Sequence, residues 1–194
     1  SRARRLHALS IEVVEAHGGA LPKTYEELLK LPGIGPYTAA AVASIAYSEP
    51  VACVDGNIRR VMARQSNQEK PSMKDVQRFA DKHLVIDAPS EWNQAMMELG
   101  ALVCKPRNPI CDQCPVAETC SGRSRPHELP RPKTTKKTTV EYNCIVRIDE
   151  NGAPELQQRP QTGLFAGLWG PEMAMGLETT GCEFVGTIRH LLSH

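Results

Sequence analysis

Four cysteines stand between positions 104 and 120 with the spacing C-x6-C-x2-C-x5-C; they are Cys104, Cys111, Cys114 and Cys120. The loops between them are short and rich in proline, so four thiolates can converge on one centre. A set of four cysteines without histidine suits either a [4Fe-4S] cluster or a structural zinc ion. Zinc sites usually present two close cysteine pairs, and only Cys111 and Cys114 form one. The spacing therefore favours iron–sulfur over zinc, and disulfide pairing comes third.

A second pattern, LPGIGPYT at residues 31–38, joins two predicted helices. Gly33 and Gly35 permit a tight turn, and Pro36 suits the first position of the helix that follows. Unshielded amides at a helix N-terminus can bind a phosphate oxygen without reading a base. An ordinary helix–helix turn is the alternative. The preceding Leu-Pro pair and the small residues of the second helix favour a hairpin that grips DNA.

The third pattern is VDGNIRR at residues 54–60. Asp55 is placed to cap the helix after it, and the helix dipole would keep its carboxylate ionised. The simplest interpretation is a cap and nothing more. The functional interpretation is a carboxylate beside a DNA sugar, where it stabilises developing positive charge. Three arginines in and after this pattern are candidates to hold the DNA backbone: Arg59, Arg60 and Arg64.

The surrounding sequence predicts a helical part to about residue 120 and an α+β or β-rich part from about residue 138. Helix caps are predicted at Thr24, Ser72 and Ser90. After residue 138, Asn151-Gly152 predicts a hairpin turn, and residues 181–192 have a strand pattern. Residues 121–139 are basic and contain three prolines, which predicts an extended linker, either a solvated tether or a strap along a phosphate backbone.

The composition adds few constraints. Net charge is +1, so overall charge demands no polyanionic partner, and 41% hydrophobic residues suffice for a core. Seven cysteines are present; with four assigned to a metal, we expect Cys53, Cys144 and Cys182 to be buried thiols. Neither a signal peptide nor an apolar run of membrane length is found. We therefore expect a reducing, intracellular compartment and no membrane association. The first and last residues carry no terminal signals, which suggests truncation at both ends.

Several motifs together resemble a known family. In order, LPGIGPYTAAAVASIAY, VDGNIRR, NQAMMELGALVC and the four-cysteine loop resemble the helix-hairpin-helix DNA glycosylase superfamily. Within it the resemblance is to the MutY branch, the adenine DNA glycosylases. Tyr37 stands where the endonuclease III branch has its Schiff-base lysine, and VDGN replaces that branch's VDTH. The sequence ELQQRPQTGLFAGLWGPE resembles the Nudix-like C-terminal domain of MutY.

The resemblance implies a mainly α helix-hairpin-helix glycosylase domain with an iron–sulfur cluster loop, plus a partial α+β Nudix-like C-terminal domain. The expected divisions are residues 1–120 for the helical and cluster region, 121–139 for the basic linker and 140–194 for the lesion-recognition domain. The Nudix hydrolase signature, a helix with clustered glutamates, is absent after Trp169. We therefore expect that domain to recognise DNA damage and not to hydrolyse nucleotides.

The resemblance also implies residue roles. Four cysteines would hold a [4Fe-4S] cluster: Cys104, Cys111, Cys114 and Cys120. Five residues would contact DNA: Gly33, Ile34, Gly35, Lys105 and Arg107. Three would serve catalysis: Asp55, Tyr37 and Asn57. Leu192, Ser193 and His194 match the family's Phe-Ser-His loop that reads 8-oxoguanine, with leucine at the phenylalanine position, where a weaker wedge between bases is expected.

The implied activity is hydrolysis of the N-glycosidic bond of adenine opposite 8-oxoguanine or guanine in double-stranded DNA. The base is flipped out, and the bond breaks toward an oxocarbenium-like cation. Tyr37 supplies no amine, so strand cleavage is not expected. The family's protonating glutamate precedes the segment that matches SRAR at the start of this chain. Two hypotheses follow: a monomeric adenine glycosylase with its acid upstream, or, for the chain as given, a DNA-binding module without catalysis.

Overall fold

The computed structural model describes residues 2–132 and 138–190, and the chain divides into two compact units, Ser1–Thr134 and Thr135–His194. The first unit is helical: α1 Arg2–His17, α2 Tyr25–Leu29, α3 Pro36–Tyr47, α4 Gly56–Gln65, α5 Met73–His83 and α6 Pro89–Glu98. A π-helical turn, Leu99–Val103, continues α6, and single 3-10 turns lie at Cys111–Gln113 and Pro126–Glu128. The mainly helical architecture predicted for this part is confirmed.

Local capping signals account for most helix starts. Ser72 and Asp75 form the predicted reciprocal cap on α5, and the Thr24 hydroxyl accepts the amide of Glu27 at the start of α2. The predicted cap at Ser90 is wrong. A cap at Ser90 would start the helix at Glu91, but α6 begins two residues earlier, at Pro89, without a side-chain cap. Proline suits this first position because it has no N–H to satisfy there. The Ser90 hydroxyl instead accepts the side-chain amide of Gln94.

Two apolar clusters form the core of the first unit, and α3 contributes to both. Helix α3 packs against α2 and α6, and its small residues allow the close approach. The first cluster contains Ala40, Cys53, Ile58, Met62 and Val76, and the second contains Leu28, Leu31, Ala39 and Ala43. These two clusters fix the hairpin before α3 and the start of α4 relative to each other.

The segment that follows the fourth cysteine packs on the helical unit. Backbone amides of Ser121 and Gly122 donate to the carbonyls at the end of α4, and Leu129 is only 1% exposed. Arg125 and Arg131 both form ion pairs with Glu69. The prediction of an extended linker from residue 121 is therefore wrong for residues 121–132, since their positive charges are paired within the unit. Residues 133–137 lie outside the described part of the chain.

The second unit contains short antiparallel strands. β1 (Asn143–Ile145) pairs with β4 (Glu172–Ala174), and β2 (Gln157–Gln158) pairs with β3 (Trp169–Gly170). The predicted turn at Asn151-Gly152 is confirmed: the Asp149 carboxylate accepts two amides across it, and Ile148 bridges to Pro154. Residues 138–190 contain no helix, so the α component predicted for this part is not found among them.

Two further sequence expectations fail in the second unit. Residues 181–190, the described part of the predicted last strand, form no strand. Cys144 and Cys182 are exposed and not buried, whereas Cys53 in the first unit is buried as expected. Across the described residues, no helix is both long enough and apolar enough to cross a membrane.

The packing of residues 121–132 can be tested at Leu129. We expect Leu129→Ala to destabilise the helical unit by about 2–5 kcal/mol, because it removes a fully buried leucine from a site with little room to collapse. The measurement is urea unfolding of the full chain followed by helical circular dichroism. Leu6→Ala is the control, since Leu6 is 67% exposed. Equal stability of the two variants would mean that the segment is a loose tether after all.

Candidate functional site

Asp55 begins α4 in the geometry that the sequence predicts. One carboxylate oxygen accepts the backbone amides of Asn57 and Ile58, both at 2.8 Å. The other oxygen accepts the side-chain amide of Asn57 at 3.0 Å. Three donors and the positive end of the helix dipole thus surround the carboxylate, an arrangement that suits a negative charge held in a fixed position.

Tyr37 lies in the first turn of α3, near enough to Asp55 for the carboxylate to affect the pKa of its phenol. Partial burial raises the pKa of its phenol, and the negative charge of Asp55 raises it further. The side chain remains 40% exposed, and its hydroxyl donates to the sulfur of Met97 at 3.5 Å. The structure therefore brings the two predicted catalytic residues together and keeps the phenol protonated beside the carboxylate.

Asn57 connects this site to the first cysteine through an arginine. The side-chain carbonyl of Asn57 accepts Arg60 Nη2 at 2.9 Å, and the same nitrogen donates to the carbonyl oxygen of Gly100 at 2.6 Å. Arg60 Nε donates to the carbonyl oxygen of Cys104 at 2.7 Å. A side chain at position 100 would meet Asn57, because a Cβ there would lie 2.6 Å from the Asn57 Cβ. Glycine is thus needed where the π-helical turn after α6 passes α4.

Arg60 and Arg64, two of the three arginines that the sequence suggested for holding the DNA backbone, turn into the unit instead. Arg64 is buried and Arg60 is half-buried, and both donate to backbone carbonyls inside the unit. The sequence could not predict this role, because the acceptors are backbone carbonyl groups, which every residue type provides. The one available signal was the Asn57–Arg60 spacing of three, which places two side chains on one face of a helix.

The hairpin before α3 depends on Gly33. Its φ is +81°, in the left-handed region, and a Cβ there would lie 2.7 Å from the Cβ of Arg5 in α1. Gly35 differs: its φ is −101°, and a Cβ at this position would meet no atom within 4 Å, so open space faces this backbone. Gly35 begins α3 without a side-chain cap, and Ile34 packs into the second apolar cluster. The hairpin therefore presents uncapped amides at a fixed helix start.

The four cysteines line one cavity of the helical unit. Its empty space is about 410 Å³, partly open to solvent, and its wall includes apolar residues such as Val61, Leu99, Val103, Ile110 and Val116. Successive turns build the loop, since the amide of Cys114 donates to Cys111, that of Ala117 to Cys114, and that of Cys120 to Ala117. Each cysteine is half-buried. The loop thus places all four cysteines around one space.

The donor set fits a cluster better than a single ion. Burial raises the pKa of the Cys120 thiol, and the charges of Cys104, Cys114 and Cys111 raise it further, so four thiolates here would repel without a cationic centre. Four thiolates without a histidine ligand are a usual ligand set of a [4Fe-4S] cluster.

The remaining predicted site residues are distributed as follows. Lys105 is half-buried and Arg107 is exposed, both in the loop between the first and second cysteines. Leu192, Ser193 and His194, predicted to read the lesion, lie outside the described residues.

Comparison with known families identifies two modules. Residues 16–45 match the helix-hairpin-helix motif, and residues 104–120 match the iron-sulfur binding domain of endonuclease III. The first match contains the hairpin at Gly33, and the second begins at Cys104 and ends at Cys120. The resemblance drawn from the motifs is therefore supported at both places.

Relatives and solved structures point the same way. The human adenine DNA glycosylase is 35% identical over 87% of this chain and 41% of its own length. The rat adenine DNA glycosylase is 30% identical over 100% of this chain and 52% of its own length. A thermostable thymine-DNA glycosylase has a TM-score of 0.59 at 31% identity, over 63% of this chain and 58% of its own. A non-covalent endonuclease III–DNA complex has a TM-score of 0.56 at 29% identity, over 63% and 58%.

Fold, hairpin and cysteine loop place this chain in the helix-hairpin-helix DNA glycosylase superfamily. Within it, the chain is a MutY-like member, as its similarity to adenine DNA glycosylases shows. It spans about half the length of these curated relatives. The cofactor predicted for the cysteine loop, a [4Fe-4S] cluster, is confirmed by the matching iron–sulfur module.

The different demands on the two hairpin glycines give a paired test. We expect Gly33→Ala to lower the free energy of unfolding by about 1 kcal/mol or more, since alanine is strained at positive φ and would also collide with Arg5. Gly35→Ala is the matched control and should be near neutral, because its conformation is ordinary and its surroundings are open. Thermal unfolding of both variants checks this. A Gly35 variant that loses as much stability as the Gly33 variant would contradict the description of the hairpin.

The cluster gives a second test. Anaerobically purified protein should contain iron and sulfide in equal amounts, about four of each per chain, with broad absorption near about 400 nm. Cys114→Ser should lose most of that iron, whereas Cys144→Ser, at an exposed cysteine of the second unit, should retain it. Zinc bound at one per chain with no sulfide would contradict the assignment.

Proposed function

We propose that this chain belongs to a base-excision repair enzyme that hydrolyses the N-glycosidic bond of adenine paired with 8-oxoguanine or guanine in double-stranded DNA. The observation that carries the proposal is the Asp55 carboxylate, held by three donors at the start of α4 and adjacent to a protonated Tyr37. Similarity to adenine DNA glycosylases supports the choice of base.

In the proposed mechanism the adenine is flipped out of the helix. An acid protonates its ring nitrogen, the C–N bond breaks, and the bonding electrons leave with the base. Asp55 stabilises the cation that forms on the sugar, and a water molecule adds to the sugar carbon and gives up a proton. The resemblance implies that this acid is a glutamate. Asn57 holds the Asp55 carboxylate in position and is a positioning residue in this scheme.

Tyr37 makes the proposed enzyme a pure hydrolase. A glycosylase that also cleaves the strand forms a Schiff base through an amine, and tyrosine has none. The raised pKa of the Tyr37 phenol leaves a hydroxyl that can donate a hydrogen bond beside the sugar and cannot act as an anionic nucleophile. The product is therefore an intact strand with an abasic site.

DNA binding in this proposal begins at the hairpin. The amides at the start of α3, where Gly35 stands at the N-cap position without a side-chain cap, bind a phosphate oxygen and carry no sequence information; the Ile34 amide already donates to Leu31. Exposed Arg107 and half-buried Lys105 add positive charge beside the cluster loop. The endonuclease III–DNA complex that this chain resembles supports a duplex as the partner. We propose an intracellular enzyme that acts as a monomer on duplex DNA, without a membrane partner.

We propose that the second unit contacts the DNA strand opposite the adenine. We propose that it is the Nudix-like part of the protein and that Leu192, Ser193 and His194 read 8-oxoguanine through a serine hydroxyl and a leucine wedge. Its antiparallel strand pairs, together with the rat relative's match over the whole chain, support this assignment. Discrimination of 8-oxoguanine from guanine then belongs to the second unit, and affinity without lesion preference to the first.

Asp55→Asn separates charge from capping. Asparagine caps a helix about as well as aspartate, so stability should hardly change while the stabilising charge is lost. In the natural gene product, we expect the single-turnover rate of adenine release to fall by about 10²-fold or more. Affinity for the mispaired duplex should change far less.

Ser72→Ala is the control for this test. It removes the cap of α5, which lies outside the candidate site, and should cost about 1 kcal/mol of stability without slowing adenine release. Normal turnover in the Asp55 variant would reduce Asp55 to a helix cap and remove the basis of the proposal.

Division of the natural gene product near residue 135 tests the roles of the two units. We expect the first part to keep adenine removal from A:G pairs and to lose most of the preference for A:8-oxoguanine. That preference is worth about 1–3 kcal/mol if it rests on one good base contact. Relative single-turnover rates on the two duplexes, before and after division, give the measurement. An unchanged preference would place lesion reading in the helical unit.

A further inference from the structure

Arg64, in the last turn of α4, is a buried cation. Its side chain is 3% exposed, and its guanidinium makes five contacts. Four go to backbone carbonyl oxygens: Pro126 at 2.8 Å, Leu129 at 3.0 Å, Lys105 at 2.7 Å and Pro106 at 3.3 Å. The fifth goes from Nη1 to the sulfur of Cys104 at 3.3 Å. Arg64 thus lies between the first cysteine and the segment that follows the fourth.

This cation lacks a carboxylate partner. None of the ion pairs found among the described residues includes Arg64. Carbonyl oxygens satisfy its N–H groups but carry no net charge, and a charge taken out of water needs a counter-charge nearby. The cysteine sulfur is the one contact that can become an anion.

We propose that Arg64 is the counter-charge of the [4Fe-4S] cluster and raises its reduction potential. Four thiolates outweigh the positive charge of the iron–sulfide core, so the loaded centre is a buried anion beside a buried cation. An N–H donated to a ligating sulfur stabilises the more electron-rich state of a cluster, as does a positive charge. Arg64 therefore makes oxidation of the cluster harder. This role of Arg64 is separate from base removal, and the reduction potential of the cluster measures it directly.

Arg60 does not fill this role. Burial is the main cause that lowers the pKa of the Arg60 guanidinium, and the positive charge of nearby Arg64 lowers it further, whereas Cys104 acts in the opposite direction. Its Nε donates to the carbonyl oxygen of Cys104 and not to the sulfur, and its Nη2 is engaged by Asn57 and Gly100. Arg60 connects the cluster loop to the candidate catalytic residues, whereas Arg64 donates to the cysteine sulfur.

Three variants of the cluster-loaded chain test the proposal: Arg64→Gln removes the charge, Arg64→Lys keeps it, and Arg59→Gln removes a charge five residues earlier on the same helix. Arg59 is half-buried and donates to Pro71 at 3.5 Å, outside the cluster loop. The readout is the cluster's potential by voltammetry, in which one electron passes between the cluster and the electrode. The loss of absorption near about 400 nm under an added one-electron oxidant is measured in parallel.

We expect a lower potential and faster bleaching for Arg64→Gln, and values near those of the unaltered protein for Arg64→Lys and Arg59→Gln. An unshifted potential in Arg64→Gln would overturn the proposal. Arg64 would then serve only to hold the backbone carbonyl groups that it contacts. If Arg64→Gln takes up no cluster, Arg64→Lys decides. If Arg64→Lys binds the cluster at the original potential, the counter-charge role is supported. If Arg64→Lys binds no cluster, the hydrogen-bond geometry of arginine and not its charge is what matters, and the proposal is overturned. None of these results depends on glycosylase activity.

Discussion

Both parts of the candidate site depend on α4, a helix of ten residues. Asp55 stands at its start, Arg60 reaches the cluster loop from its middle, and Arg64 does so from its last turn. Four residues on its remaining face are buried in the core: Ile58, Val61, Met62 and Ala63. A shift of one residue would turn the helix by about 100° and break all these contacts together. Core packing therefore fixes the catalytic carboxylate and the cysteine loop in a single step.

The segment that leads into α4 is fixed from α6. Asn93 is fully buried; its side-chain carbonyl accepts the amide of Cys53 at 2.8 Å, and its amide donates to the carbonyl of Val51 at 2.9 Å. A buried amide satisfied on both sides specifies one position of the chain beside it. The π-helical turn after α6 then supplies Gly100, whose carbonyl accepts Arg60. The motifs around VDGN and NQAMMELGALVC, distant in sequence, are therefore two sides of one structural unit.

Features encoded within a few residues could be predicted from the sequence. Asp55 and Ser72 cap their helices, Pro36 begins α3, and Asn151-Gly152 turns the chain, because each depends on local backbone geometry. The cysteine loop belongs to this class as well, since its ligands are close in sequence. The sequence could not predict that the side chains of Arg60 and Arg64 turn into the helical unit. Their acceptors are carbonyl groups some forty residues or more away, and any residue type provides a carbonyl.

The same limit explains residues 121–132. Their composition is that of a solvated linker, yet a single buried leucine and ion pairs to one glutamate hold them on the helical unit. Composition counts the arginines but does not show that Glu69 accepts two of them. Free energy depends on the pairing, and one fully buried leucine contributes about as much as several exposed ion pairs.

The second unit shows what a strand pattern alone can predict. Residues 183–188 have apolar residues of high strand propensity, but Val185 is 96% exposed, and no strand lies against this segment among residues 138–190. An alternating pattern shows which side chains a strand would bury if it had neighbours. Strand propensity itself comes mostly from side-chain packing against neighbouring strands. The strand pairs that do form are two or three residues long, and such pairs have little stability alone. The hairpin at residues 148–154 forms where its turn is encoded locally, whereas residues 183–188 have a strand pattern but pair with no strand among the described residues.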